Sequence, residues 1–230
     1  GKRYGYEPQQ VLDTAQKLYE EKLTSYPRSD AEYLPVSQHK DAAKILGNLA
    51  ALEESELGAW AKAADAKQKS RAWNDAKISA HHAIIPTTVP VNLARLSAVE
   101  KNIYELIARA YIAQFYPNYV YDQTKVEVTY HGELFTASGR TERAAGWRAL
   151  YRTGKSEAED AEKEDEESAV LPPMKKGDAA DYVSADLGTR QTKPPSRFTP
   201  ATLLQGMKEI HKYVKDEAAK KMLRDVSGIG

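Results

Sequence analysis

The sequence predicts a multidomain α+β chain: a mostly helical domain over residues 1–117, antiparallel β segments over 118–192, and a helical piece over 193–230 that begins a further domain. Three observations predict it. Apolar residues recur at helical spacing through most of the first 117 positions. The period changes to two just after Pro117. A helical pattern resumes beyond the break at Lys193-Pro194-Pro195. The 230 residues are enough for one or two domains with a real core.

The elements follow in order. Glu7 to Lys22 reads as an amphipathic helix, with Val11, Leu12, Ala15, Leu18 and Tyr19 on one side and Pro8 tolerated in its first turn. Ser37 to Leu52 reads as a second helix that buries Ala42, Ala43, Ile45, Leu46 and Leu49. From Glu53 to Lys77 the pattern weakens, and Trp60 and Trp73 are expected in the core. Ser97-Ala98-Val99-Glu100 is a capping box that opens a helix running to about Tyr116, where Pro117 ends it. Val126, Val128 and Tyr130 then alternate with polar residues, His131-Gly132 supplies a turn, and Leu134, Thr136 and Ser138 form a partner strand. Trp147 to Tyr151 is expected as another short strand, and Val170 to Met174 and Asp181 to Leu187 as further sheet. Thr199 to Val214 is the last helix, with Leu203, Leu204, Met207 and Ile210 on its apolar side.

Charge is unevenly placed. The formal net charge is zero, yet the stretch 156–167 carries eight Asp or Glu and one Lys, which leaves 32 basic against 25 acidic side chains elsewhere, a balance of +7. A modestly basic body with one acidic, solvated linker is compatible with nucleic acid. The chain has no cysteine, so disulfides and cysteine-held zinc within it are excluded. No run is long and apolar enough for a membrane span, and no signal peptide is recognisable, so a cytoplasmic location is expected.

The densest chemistry lies in Leu23-Thr24-Ser25-Tyr26-Pro27-Arg28-Ser29-Asp30. A phenol is a weak nucleophile near neutral pH unless positive charge or a base assists it. If Tyr26-Pro27-Arg28 is extended, phenol and guanidinium point to the same side. A guanidinium fork matches a phosphodiester, so Tyr26 could attack phosphorus while Arg28 holds the non-bridging oxygens. The same run also reads as an ordinary turn in which Ser29 or Asp30 caps the next element. His81-His82, ahead of Ala83-Ile84-Ile85-Pro86, reads as a half-buried pair satisfied by backbone or as metal ligands, although nothing near in sequence supplies a third and fourth ligand.

Five stretches in order resemble the type IA DNA topoisomerases, in the bacterial topoisomerase III branch. Residues 15–30, ending Leu23-Thr24-Ser25-Tyr26-Pro27-Arg28-Ser29-Asp30, resemble the active-site tyrosine segment. His81-His82-Ala83-Ile84-Ile85-Pro86-Thr87 resembles the histidine segment, although many members have His-Glu there. Leu96 to Pro117 resembles the helix that follows. Phe135-Thr136-Ala137-Ser138-Gly139-Arg140 with Gly146-Trp147 resembles the gate strands, and Thr192-Lys193-Pro194-Pro195-Ser196-Arg197-Phe198-Thr199 the return into the body.

The resemblance implies a central part of a toroidal enzyme in which Tyr26 cuts one strand of DNA. The tyrosine stays linked to the 5′ phosphate until the break is resealed, for relaxation or decatenation. Arg28 would clamp the transition state and His81 would assist at the phosphate. Gln16, Glu20, Lys22, Ser25, Ser29, Asp30, His82 and Thr87 would contact single-stranded DNA or hold the site in shape. It also implies Mg²⁺ on an N-terminal toprim domain outside these residues, none within this chain, and weak binding without relaxation by the chain alone. A tyrosine recombinase would need a His-x-x-Arg element before its tyrosine, and a rolling-circle relaxase a His-apolar-His metal motif. The alternative that stays open is a non-catalytic single-stranded DNA-binding or scaffold domain.

Overall fold

The computed structural model describes residues 3–53, 55–152, 171–184, 186–189, 191–192 and 194–224. The acidic stretch 156–167 lies outside them, as do Val170 and Lys193. The described residues fall into two compact units, one within Asp13–Tyr182 and the other within Gly1–Leu12 and Val183–Gly230.

Helix α1 spans Pro8–Glu20 with Pro8 in its first turn, where the missing N–H costs nothing. It ends in a Schellman motif. The Leu23 amide donates to the Leu18 carbonyl at 2.9 Å and the Lys22 amide to the Tyr19 carbonyl at 2.8 Å. Lys22 takes the left-handed conformation with φ of 61° that this ending requires. Leu18 and Leu23 are both buried there, which anchors the chain as it leaves the helix.

The helix expected over 37–52 is a 3₁₀ turn at Val36–Asp41 followed by α2, Ala42–Ala50. Of its expected buried face, Ala42, Ile45, Leu46 and Leu49 are buried, whereas Ala43 is exposed. Helix α3, Glu56–Ala63, is capped by the Ser55 hydroxyl, which accepts from the Gly58 amide at 3.0 Å. A Cβ at Gly58 would lie 2.1 Å from the Leu52 carbonyl oxygen, so only glycine lets α3 start this close to the end of α2.

Helix α4, Ala98–Ile112, opens with the predicted capping box: Ser97 Oγ accepts from the Glu100 amide, and Glu100 accepts from the Ser97 amide at 2.7 Å. Glu100 is nearly buried and also pairs with Lys17 of α1. The Lys17 ammonium foremost, and then the Ser97 amide and hydroxyl, lower its carboxyl pKa to about 2. The core is completed by Leu34, Leu57, Ile103, Tyr104, Ala108, Ile112 and an aromatic cluster of Trp73, Tyr111 and Phe115. His39 lies against this cluster, its ring centroid 4.8 Å from that of Trp73 and its Nε2 3.0 Å from the Gln68 carbonyl oxygen.

Strands β1, Val120–Tyr130, and β2, Glu133–Ala144, form an antiparallel ribbon. His131 and Gly132 take φ of 49° and 86°, the two positive values of a type I′ turn. Val126, Val128 and Tyr130 pair with Ala137, Phe135 and Glu133 on one face, while Leu134, Thr136 and Ser138 lie on the other. Among the described residues this is the whole sheet. Trp147 to Tyr151, expected as a strand, lies in a 3₁₀ turn at Gly146–Tyr151 that buries Leu150, and the described parts of 170–174 and 181–187 form no strand. Gly146 has φ of 49°, and a Cβ there would lie 2.4 Å from the carbonyl oxygens of Pro117 and Asn118. The two chain crossings between helical part and ribbon therefore meet at a glycine.

In the other unit, α5 covers Pro200–Lys208 behind a Thr199 cap, a 3₁₀ turn covers Ile210–Tyr213, and α6 covers Glu217–Arg224. The single helix expected over 199–214 is thus broken at Glu209.

Candidate active site at Tyr26

Beyond the Schellman end of α1, the chain pairs with a segment far away in sequence. The Ser25 amide donates to the Ile85 carbonyl at 2.9 Å and the Thr87 amide to the Leu23 carbonyl at 3.0 Å, with a bridge between Thr24 and Pro86. The Ser25 hydroxyl adds to this pairing: it donates to the Ala83 carbonyl at 3.3 Å and accepts from the Ile85 amide at 3.0 Å. The Thr87 hydroxyl donates to the Lys22 carbonyl. Both strands of this short pairing are thereby fixed, and the chain next to each carries one of two aromatic side chains that meet.

Those side chains are Tyr26 and His81. Their ring centroids are 4.7 Å apart with the planes tilted by 31°. Tyr26 is 36% exposed, and the edge of Tyr19 meets it at 5.7 Å. Pro27 is buried, while Tyr26 and Arg28 on either side of it are exposed, so the proline pins the segment and leaves its neighbours outside. The chain bends at Pro27 and Arg28 instead of running extended there. The Arg28 guanidinium makes no hydrogen bond or ion pair among the described residues.

The remaining predicted residues sort by position. Gln16 donates to Glu20 at 2.9 Å on the outer face of α1, ahead of Lys22. Lys22 is exposed at the helix end. Ser29 caps a local turn by accepting from the Ala31 amide at 3.2 Å, and Asp30 is exposed. His82 turns away from Tyr26: its Nδ1 lies 2.7 Å from the Ala83 carbonyl oxygen and its Nε2 3.0 Å from the Gln38 amide nitrogen. Since a carbonyl only accepts, Nδ1 carries the proton and Nε2 accepts from Gln38. Among the described residues no group of three or more His, Asp or Glu is placed to hold a metal ion. A phenol, an imidazole and hydroxyls do not supply the carboxylate oxygens Mg²⁺ prefers.

Two neighbours escaped the sequence reading. Tyr19 falls on the apolar helical period of α1, but it is 40% exposed and stands against Tyr26. Gln38 lies in a short 3₁₀ turn, where no periodicity marks its direction.

An exposed tyrosine held by a strand pair beside a histidine belongs here to a known family: the DNA topoisomerase family profile matches residues 1–230, and the chain is a member of it. Within that family it is type IA and topoisomerase III-like. The proteins named DNA topoisomerase 3 from Vibrio cholerae, Bacillus subtilis and Salmonella typhimurium are 41%, 36% and 38% identical to it over its whole length. The chain spans 34%, 32% and 34% of those relatives, about a third of each. No helix among the described residues is long and apolar enough to cross a membrane.

Proposed function

We propose that this chain carries the nucleophile of a type IA topoisomerase, an isomerase that cleaves and rejoins single-stranded DNA through a 5′-phosphotyrosine. The observation that carries this reading is the exposed Tyr26 ring set 4.7 Å from His81 by the Ser25 pairing. A non-catalytic binding module gives no reason to hold a tyrosine out of the core against a histidine.

In this mechanism the Tyr26 oxygen attacks phosphorus, the bond from phosphorus to the 3′ oxygen breaks, and that oxygen leaves as the 3′ hydroxyl after taking a proton. One phosphoester replaces another, so the break reseals by the reverse step without a nucleotide cofactor. The Tyr26 and His81 rings lie over one another instead of being joined head-on, which favours His81 as a donor to the bound phosphate over a base acting on the phenol. Arg28, exposed and uncommitted among the described residues, closes on the non-bridging oxygens when the strand binds. Lys22, Ser29, Asp30, Gln16, Glu20 and Thr87 frame the approach of the single strand. Mg²⁺, when bound by a toprim domain of the same protein, supplies charge at the phosphate, and no step assigned to these residues runs through it. The β1–β2 ribbon and its crossing at Gly146 serve the gate, with 1–117 as the body that bears the tyrosine.

The test uses the intact protein that contains this chain, Mg²⁺ and single-stranded DNA labelled at a known position. The expected result is a covalent adduct whose peptide mass maps to Tyr26 and carries the 5′ phosphate, with no adduct from Tyr26→Phe. An adduct that survives Tyr26→Phe would reject this tyrosine as nucleophile.

A further inference from the structure

We propose that the root of the β1–β2 ribbon is a second site for single-stranded DNA, made of other residues than the Tyr26 site and suited to the strand that passes through the break. The passage role rests on Tyr26 being the nucleophile; the binding does not. Four side chains form a ladder there. The Arg140 guanidinium carbon lies 4.4 Å from the Tyr121 ring centroid, and the Arg148 guanidinium carbon 4.9 Å from that of Tyr119. The two tyrosine centroids are 5.1 Å apart, with planes 32° from parallel. The strand register explains half of this: Arg140 faces Gln123, so Tyr121, two residues back on the same face, is its diagonal neighbour. Arg148 comes from the 3₁₀ turn that Gly146 starts.

The ladder keeps positive charge for a ligand. Glu142, opposite Tyr121, accepts from Arg152 at both carboxylate oxygens, and Asp122 accepts from Arg143. Arg140 has no hydrogen bond or ion pair among the described residues. A guanidinium lying on a ring still offers its N–H edge to phosphate oxygens and its outer face to a base. Next to the ladder, where Asn118 and Trp147 directly precede Tyr119 and Arg148, opens a cleft of about 380 Å³. Its walls include Tyr33, Tyr116, Trp147 and Tyr151, together with Glu32 and Arg71, whose opposite charges offset each other. That volume and those walls suit one neutral base, and leave the phosphates to the ladder. Tyr121 and Trp147 are both exposed, so ladder and cleft each present an aromatic side chain to an incoming strand. Rings and guanidinium groups in this arrangement take up unstacked bases, which a single strand has and a duplex does not.

The experiment uses the intact protein that contains this chain, Mg²⁺ and two single-stranded oligonucleotides. An unlabelled one is first added to saturation, with its Tyr26 adduct measured, and a second, carrying a fluorophore and iodouracil, is then titrated in. Anisotropy reads the affinity of the second strand, and irradiation followed by peptide mass reads what it touches. Crosslinks are expected in the peptides that hold Tyr119 and Tyr121 or Trp147 and Tyr151. The double variant Tyr121→Leu, Arg140→Gln is expected to bind the second strand at least about fivefold more weakly, the low end of what one stacked base contributes. Tyr121→Phe keeps the ring and is expected to bind it as the parent does. Both variants are expected to keep the parent yield of Tyr26 adduct from the first strand. Unchanged affinity in the double variant, or a duplex of the same sequence competing as well as the single strand, overturns the site. Loss of the Tyr26 adduct in the double variant assigns the ladder to the strand that is cut and overturns the second site. Absence of any Tyr26 adduct in the parent, with the second strand still crosslinked at the ladder, overturns the nucleophile and the passage role but not the binding.

Discussion

Ser25 holds the two halves of the site together through one hydroxyl that both donates to Ala83 and accepts from Ile85. Ser25→Ala leaves the Ile85 amide short of an acceptor while the backbone bond from the Ser25 amide survives. The expected cost is about 1–2 kcal/mol of stability, read by thermal unfolding, together with slower single-turnover cleavage because Tyr26 and His81 are no longer held in register. Cleavage at the unaltered rate in the alanine variant would mean the hydroxyl only supports the fold. Tyr26 stands out in the sequence by its chemistry and His81 by its resemblance to the family's histidine segment, but nothing there marks this linkage. Ser25 and Ala83 are 58 residues apart, and a two-rung pairing leaves no periodic trace in either segment. Tyr19 likewise carries no sequence mark of its exposure: its spacing fits the apolar stripe of α1, while the Schellman turn brings Tyr26 back against it at the helix end.

At the scale of elements, the ends of α1 and α4 set where that tyrosine stands. Lys22 occupies a left-handed position that glycine takes more readily, so Lys22→Gly is expected to raise stability by about 0.5–1 kcal/mol. If Lys22 also meets the DNA backbone, the same variant weakens single-strand binding, and a denaturation curve beside a binding isotherm separates the two effects. Glu100 joins α4 to α1 through Lys17. Its folded pKa lies below that of an unfolded carboxyl, so the stabilisation is complete above the unfolded value of about 4.5 and is lost as pH falls towards about 2. Glu100→Gln is therefore expected to unfold at a lower temperature than the parent at pH 7, with the gap narrowing in acid; an equal gap at pH 7 and pH 3 would exclude the charge as its origin. Ser97-x-x-Glu100 was legible because a capping box is local chemistry. The strand expected over Trp147 to Tyr151 is instead part of a tight turn, since so short a stretch carries no period that tells the two apart. What decides there is Gly146, whose left-handed backbone against Pro117 and Asn118 starts a 3₁₀ turn.

Over the whole molecule, the zero net charge conceals two opposed parts: residues 156–167, rich in Asp and Glu, and a remainder of +7. An acidic run of this density competes with DNA phosphates for the same cations and repels the strand over a distance set by salt, about 10 Å at 0.1 M. Replacing its eight carboxylates with Gln and Asn is thus expected to raise the affinity of the chain for single-stranded DNA several-fold near 0.05 M salt. The gain should fade towards 0.5 M, as screening removes both the repulsion and most phosphate attraction. Fluorescence anisotropy with a labelled oligonucleotide across a salt series reads this directly. A gain that persists at high salt would mean that the segment occludes the strand by bulk, because contact exclusion, unlike field repulsion, does not decay with the Debye length. Tyr26 chemistry separates from this effect. On the proposed mechanism, neutralising these carboxylates changes how often the strand arrives and not what Tyr26 and His81 do once it has arrived, so adduct formation at saturating DNA should keep its rate.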